Sequence, residues 1–261
     1  MYGALLGDYI GSRFEFNNLK SKDFELFHPD CQFTDDTIMT LAIKDACNRI
    51  KTEGYEIYEQ AEQYFIEAMQ KWGRAFPNVK GGYGSNFDYW LRSNDPRPYN
   101  SWGNGSAMRV SPVGWMFDTA EEVEKYAKWS AKPTHSHNYG ITGAIVTAMC
   151  IFLARNGSTK QQIKEYANQY YKFESCDIVR PTYTFDVSCQ GTMPVALECF
   201  FESTDFEDSI RLAISMGGDS DTIGAITGSI AEAFYGIPDN MKIKAEEILK
   251  DIYTKYNAFY S

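Results

Sequence analysis

Apolar residues recur at three- and four-residue intervals over most of the chain, and period-two alternation never persists, so the pattern predicts helices and almost no strand. After "GGDSDT", Ile223, Ile226, Ile230 and Phe234 fall at helical spacing. In "IPDNMKIKAEEILKDIYTKYNAF", Pro238 takes a first-turn position, and Ala245, Ile248, Ile252, Tyr256 and Phe259 share one stripe. The run 141–154, "ITGAIVTAMCIFLA", is apolar nearly all round and reads as a buried central helix, with His137 as a cap before it. Pro77, Gly81, Gly82, Pro96, Pro98, Pro133, Pro181 and Pro238 punctuate the helices. No Ser- or Gly-rich linker interrupts the pattern, and one all-α domain over 1–261 fits it.

Glycines add a second pattern. Gly3, Gly7 and Gly11 lie four apart, as do Gly224 and Gly228, so each set makes a flat strip along one helix face. A helical Gly costs up to about 1 kcal/mol relative to Ala. Close helix–helix packing offsets that cost; a ligand lying on bare backbone is the other reading.

Charge narrows the partners. The formal net charge is −10 and Lys and Arg do not cluster, which argues against nucleic acid and anionic membranes as direct partners. The start, "MYGALLGDYIG", lacks a basic leader, and no apolar run approaches the ~20 residues of a membrane span. Six cysteines without a CxxC pair read as buried free thiols, consistent with a cytoplasmic protein.

The chemistry concentrates in two acidic clusters. "QFTDDTIMT" (32–40) and "GGDSDTIGA" (217–225) share the ending "DTI". Each reads singly as a helix cap with acids in the first turn. Yet one cap needs one side chain, and each cluster offers three or four oxygen donors. Asp35, Asp36, Asp219 and Asp221, with the hydroxyls of Thr34, Thr37 and Thr222, form a donor set suited to Mg²⁺ or Mn²⁺. Neither cluster contains His or Cys, which disfavours zinc. If the two helix starts meet, four like charges raise one another's pKa values, and two divalent cations neutralise them.

The ordered motifs "GALLGDYIGSRFEF", "FTDDTIMTLA", "GNGSAMRVSPVG", "THSHNYGITGA" and "GGDSDTIGAITGSIAEAFYGIP" resemble the ADP-ribosylglycohydrolase family from Gly3 to about Pro238. The resemblance implies a compact helical fold, two Mg²⁺ (or Mn²⁺) ions, and hydrolysis of the bond between ADP-ribose and an acceptor. It implies Thr34, Asp35 and Asp36 as one ligand set and Asp219, Asp221 and Thr222 as the other. Asp36 and Asp221 are placed at the reacting centre with Glu15, which is expected to face the scissile bond without being a primary ligand. "SWGNGSAMR" (101–109) resembles a phosphate-cradling loop, implying substrate contacts from Trp102, Gly103, Asn104, Gly105, Ser106 and Met108. Tyr99 or Trp102 is a candidate to stack on adenine, and His135 to lie near the ribose; Arg109 reads equally as a phosphate partner or a structural ion-pair residue. The implied substrate is an ADP-ribosylated protein or a small ADP-ribose conjugate, handled by a monomer. A two-metal phosphohydrolase and a non-catalytic ADP-ribose-binding protein are the alternatives.

Overall fold

The computed structural model describes residues 1–54 and 57–260; Ser261, the last residue of the expected domain, lies outside them. Helices dominate, and no β-strand forms among the described residues beyond two isolated bridges, Thr34 to Lys80 and Gly103 to Ser188. The first half contains α1 (Tyr2–Gly11), α2 (Asp35–Glu53), α3 (Tyr58–Ala75), α4 (Ser85–Arg92), α5 (Gly105–Met108), α6 (Ser111–Met116) and α7 (Ala120–Ala131). The second contains α8 (Asn138–Arg155), α9 (Lys160–Ala167), α10 (Cys176–Val179), α11 (Cys189–Glu202), α12 (Phe206–Ser215), α13 (Ser220–Tyr235) and α14 (Asp239–Phe259).

The glycine strips meet each other. A Cβ on Gly3 would lie 2.1 Å from the Gly228 carbonyl oxygen, one on Gly7 1.9 Å from that of Gly224, and one on Gly11 2.5 Å from that of Ser220. The backbones of α1 and α13 are therefore in contact along three turns, with no space for any side chain. Such an approach brings many atoms into dispersion range and repays the low helix propensity of glycine. Packing, not a ligand, explains both strips. The end of α1 is thereby fixed beside the start of α13.

Around this pair the core follows the predicted stripes. Ile223, Ile226 and Ile230 are buried, and Phe234 is half-buried. On α14, Ala245, Ile248, Ile252 and Tyr256 are buried, and the Tyr256 ring stacks on Trp72 at 3.9 Å between centroids. Two details differ from expectation. Pro238 precedes the first turn as the cap residue, because the helix begins at Asp239. Phe259 is 54% exposed, since the last turn runs past the core.

α8 corrects the expectation about membrane spans. Its 18 residues have a mean hydropathy of 1.3, enough by length and composition to cross a bilayer. More than half of the helix is buried inside the protein, and it packs against α5, α6, α7 and α13, as a central core helix does. His137 caps it, its Nδ1 accepting from the Tyr139 N–H at 3.2 Å. All six cysteines are free and buried.

Candidate active site

Asp8 anchors the first acidic cluster. The Thr34 and Thr37 N–H groups and the Thr37 hydroxyl all donate to its buried carboxylate. Thr34, in extended backbone, caps α2 by accepting from the Asp36 N–H at 3.2 Å. This double hold aims Asp35 and Asp36 out of the first turn of α2 toward α13.

The second cluster opens α13. Gly217 and Gly218 both have positive φ (68° and 69°), the left-handed region that favours glycine, and they turn the chain sharply into Asp219. The Thr222 hydroxyl then donates to Asp36 Oδ2 at 3.2 Å, joining α13 to α2 directly. Asn104 Nδ2 donates to Asp219 Oδ2 at 2.6 Å and to Thr192 Oγ1 at 3.1 Å. The two "DTI" clusters, nearly two hundred residues apart, thus share one site.

Glu15 sits beside this cluster. One oxygen each of Glu15, Asp219 and Asp221 lie within 4.8 Å of one another, a spacing that suits a shared cation. Gly81, at φ 76°, packs against it: a Cβ there would lie 3.0 Å from Glu15 Oε2. Glu15 stands at the edge of the second set because α1 ends against α13, near the reacting centre as expected.

The donors fit divalent cations by two observations. Buried Asp36 Oδ1, Asp221 Oδ1 and Glu15 Oε2 have no hydrogen-bond partner. Burial, then the neighbouring Asp221 charge, raises the pKa values of Asp35 and Asp36 well above the usual carboxylate range. Burial and Asp219 do the same to Asp221. Burial pushes Asp219 up to about 6, and burial with the Asp221 and Asp8 charges pushes Glu15 up to about 8. So much unneutralised acid in one buried place calls for positive charge, and hard oxygen donors select Mg²⁺ or Mn²⁺. Thr34 Oγ1 accepts from the Asp36 N–H and donates to Asp36 Oδ2, and Thr222 Oγ1 donates to the same carboxylate oxygen; each hydroxyl oxygen keeps a lone pair for a cation.

The cluster floors a cleft of about 480 Å³, within the ordinary range for a small-molecule site. Tyr99, Gly103, Asn104, Gly105, Met108, Arg109 and His135 line it with the acids. The Gly103 N–H is taken by Ser101 Oγ and the Asn104 N–H by the Val187 carbonyl; among the described residues those of Gly105 and Ser106 have no acceptor. Two expected contact residues, Trp102 and Ser106, lie outside the cleft lining, and a contact from Ser106 would come from its backbone N–H. Trp102 is 55% exposed outside the cleft lining, with its ring edge-on to His137 at 5.8 Å. The Ser106 hydroxyl is buried and donates to the Gly140 carbonyl, where it ties α5 to α8. Arg109 is buried, and among the described residues no carboxylate lies in ion-pair range of it.

Sequence reading missed Asp8 as a site residue. The available signal was an acid one residue from Gly7, on an otherwise apolar helix face. It also missed Phe16 and Phe185, whose rings stack at 6.1 Å on the rim; only their exposure marks them, and exposure is a property of the fold.

Comparison with known proteins agrees with this geometry. The family model described as ADP-ribosylglycohydrolase matches residues 1–256. The chain is similar to human ADP-ribosylhydrolase ARH3, 26% identical over 313 residues covering 90% of this chain and 84% of that protein. It is also 26% identical to the ADP-ribosyl-[dinitrogen reductase] glycohydrolase of Rhodospirillum rubrum, over 52% of this chain and 47% of that one. A solved structure, an ADP-ribosylglycohydrolase-related protein complex, shares the fold with a TM-score of 0.68 at 22% identity, covering 98% of this chain and 94% of that one.

Proposed function

The chain belongs to the ADP-ribosylglycohydrolase family, and from this we propose that it hydrolyses the glycosidic bond between ADP-ribose and an acceptor, using divalent cations held between α2 and α13. The observation that carries the reading is the convergence of Asp36, Asp221 and Glu15, each with an unpartnered buried oxygen, on the floor of a cleft.

Asp35, Asp36, Asp219, Asp221 and Thr222 would hold the cations, with Glu15 completing the second set. When bound, such ions supply Lewis acidity that polarises substrate oxygens and eases deprotonation of water. The chain's own residues do the rest. Asn104 holds the Asp219 carboxylate in one orientation through its amide N–H. Asp8 holds the turn that presents Asp35 and Asp36. Water attacks the anomeric carbon as the acceptor leaves, and the ring carries positive charge at the transition state. The carboxylates face that charge. Glu15 Oε2, unpartnered and at the cleft wall, is placed to hold or deliver the proton that this exchange moves. The Gly103–Gly105 loop, Tyr99 and His135 line the part of the cleft that would take the rest of the ADP-ribose.

A panel of defined conjugates, ADP-ribosyl-arginine, ADP-ribosyl-serine and a small-molecule ADP-riboside, tests the proposal in Mg²⁺, Mn²⁺ and chelator. Free ADP-ribose, formed only with cation, is expected. AMP as the product would mean pyrophosphate cleavage and would overturn it; no product from any member would favour a binding protein.

A further inference from the structure

Thr134 joins Arg109 to His135. Arg109 Nη2 donates to Thr134 Oγ1 at 2.8 Å and to the Ser130 carbonyl at 3.3 Å. Thr134 Oγ1 lies 2.7 Å from His135 Nδ1. Arg109 is 1% exposed and Thr134 0%, so solvent offers neither a replacement partner.

The direction of each bond follows from what each group can do. A guanidinium only donates, so Thr134 Oγ1 accepts from Arg109. The threonine hydroxyl has one proton left to place. Among the described residues its one remaining partner is His135 Nδ1. If Nδ1 carried the ring proton, it would donate back to Oγ1, and the buried hydroxyl proton would have no acceptor. The satisfied arrangement has Thr134 donating to a bare Nδ1, with the ring proton on Nε2.

That nitrogen faces the cleft loop. A Cβ on Gly105 would lie 3.2 Å from His135 Nε2 and one on Gly103 3.6 Å, and among the described residues no group accepts from it. We propose that Arg109 and Thr134 are positioning residues that lock His135 as the Nε2–H tautomer, a fixed hydrogen-bond donor to an oxygen of the bound ADP-ribose. The ligand half of this rests on the function proposed above; the tautomer half does not. Burial, then the Arg109 charge, holds the ring well below its usual pKa, so it stays neutral. Arg109 acts on the ring through Thr134. His135 is then a donor and not a base.

The chain has three histidines, so labelling them with ¹⁵N gives a spectrum simple enough to assign by His135→Gln. Long-range ¹H–¹⁵N correlation on the full chain should show His135 with a protonated Nε2 and a bare Nδ1. Thr134→Val keeps the shape and removes the relay. It should shift His135 toward the other tautomer and weaken ADP-ribose binding about tenfold in Kd, the worth of one hydrogen bond; it also leaves buried Arg109 Nη2 one acceptor short and lowers the unfolding midpoint, so affinities are compared at a temperature where both proteins are folded. Thr134→Ser should restore both. A wild-type Nδ1–H signal, or a tautomer unchanged in Thr134→Val, would overturn the proposal. So would a tautomer shift with unaltered ADP-ribose affinity. Wild-type protein that binds no ADP-ribose would instead overturn the functional reading and the ligand half with it, while the spectrum alone judges the tautomer.

Discussion

Asp8 and Thr37 face each other across the α1–α2 contact, and one oxygen, Asp8 Oδ2, accepts from both the N–H and the hydroxyl of Thr37. Asp8 also receives the Thr34 N–H, so a fully buried carboxylate is satisfied by the turn that it shapes. Asp8→Ala would leave those donors buried without acceptors. We expect a loss of about 2–4 kcal/mol in urea unfolding with an unchanged m value, together with loss of hydrolysis. Asp8→Asn, which keeps one carbonyl oxygen, should fall between. A stability within about 0.5 kcal/mol of the parent would show that the turn holds itself.

Cation and pH effects should be linked. Asp8 and Asp219 are pushed up to about 6 by burial, and Glu15 to about 8 by burial and then by Asp221 and Asp8. Each group therefore binds its proton more tightly folded than unfolded. Between the ordinary carboxylate range and about 8, the folded cation-free protein holds more protons than the unfolded chain, so its stability falls as pH rises. Thermal midpoints in chelator should drop from about pH 5 to about pH 8, and Mg²⁺ or Mn²⁺ should lift them most at the upper end by mass action. Midpoints that rise with pH in chelator, or ignore cations throughout, would contradict the site.

Glu15→Gln keeps the shape and removes the charge. We expect kcat to fall by about 100-fold or more, with ADP-ribose affinity little altered. Because Glu15 lies with Asp219 and Asp221, the lift in melting temperature given by Mg²⁺ should also shrink. Asp36→Asn should abolish both activity and that lift. A Glu15→Gln protein with full cation response and reduced kcat would place Glu15 outside the ligands, as the sequence alone suggests; parent-level kcat would make it merely structural.

Helix class, the α14 stripe and the buried α8 were legible because each rests on periodicity, which tertiary packing here obeys. The two acidic clusters stood out for a related reason: acids without local partners ask for a counter-charge wherever the chain puts them. What was not legible depends on distance in space. Nothing in "GDYIGSRFE" says that α1 ends against α13, so neither the spacing of Glu15 from Asp219 and Asp221 nor the hold of Asp8 on Thr37 could be read. The role of Trp102 was drawn from its neighbours in sequence, and a turn of backbone at the adjoining loop was enough to leave it outside the cleft lining.

Gly7→Ala sets two effects against each other. Alanine gains about 1 kcal/mol of helix propensity. Its Cβ would lie 1.9 Å from the Gly224 carbonyl oxygen, and backbone cannot step aside as a side chain can. Overpacking costs about 1–3 kcal/mol and more when backbone must move, so a net loss of about 2 kcal/mol is expected, with activity falling as α1 shifts. A stabilised variant in chemical denaturation would show that the two helices have slack between them.

The contact of α1 with α13 also sets an order of events during synthesis. The glycine face of α1 is made early, and its partner face, Gly224 and Gly228, appears only after the ribosome has read past residue 220. Until then the acids at 8, 35 and 36 lack their counterparts at 219 and 221, and a partial chain presents only half of the donors. On the proposed function, the site is therefore completed only at the end of folding, when the long-range closure that slows such topologies is made. A chain stopped before residue 219 lacks the α13 acids, and with them half of the donors on which the proposed hydrolysis depends.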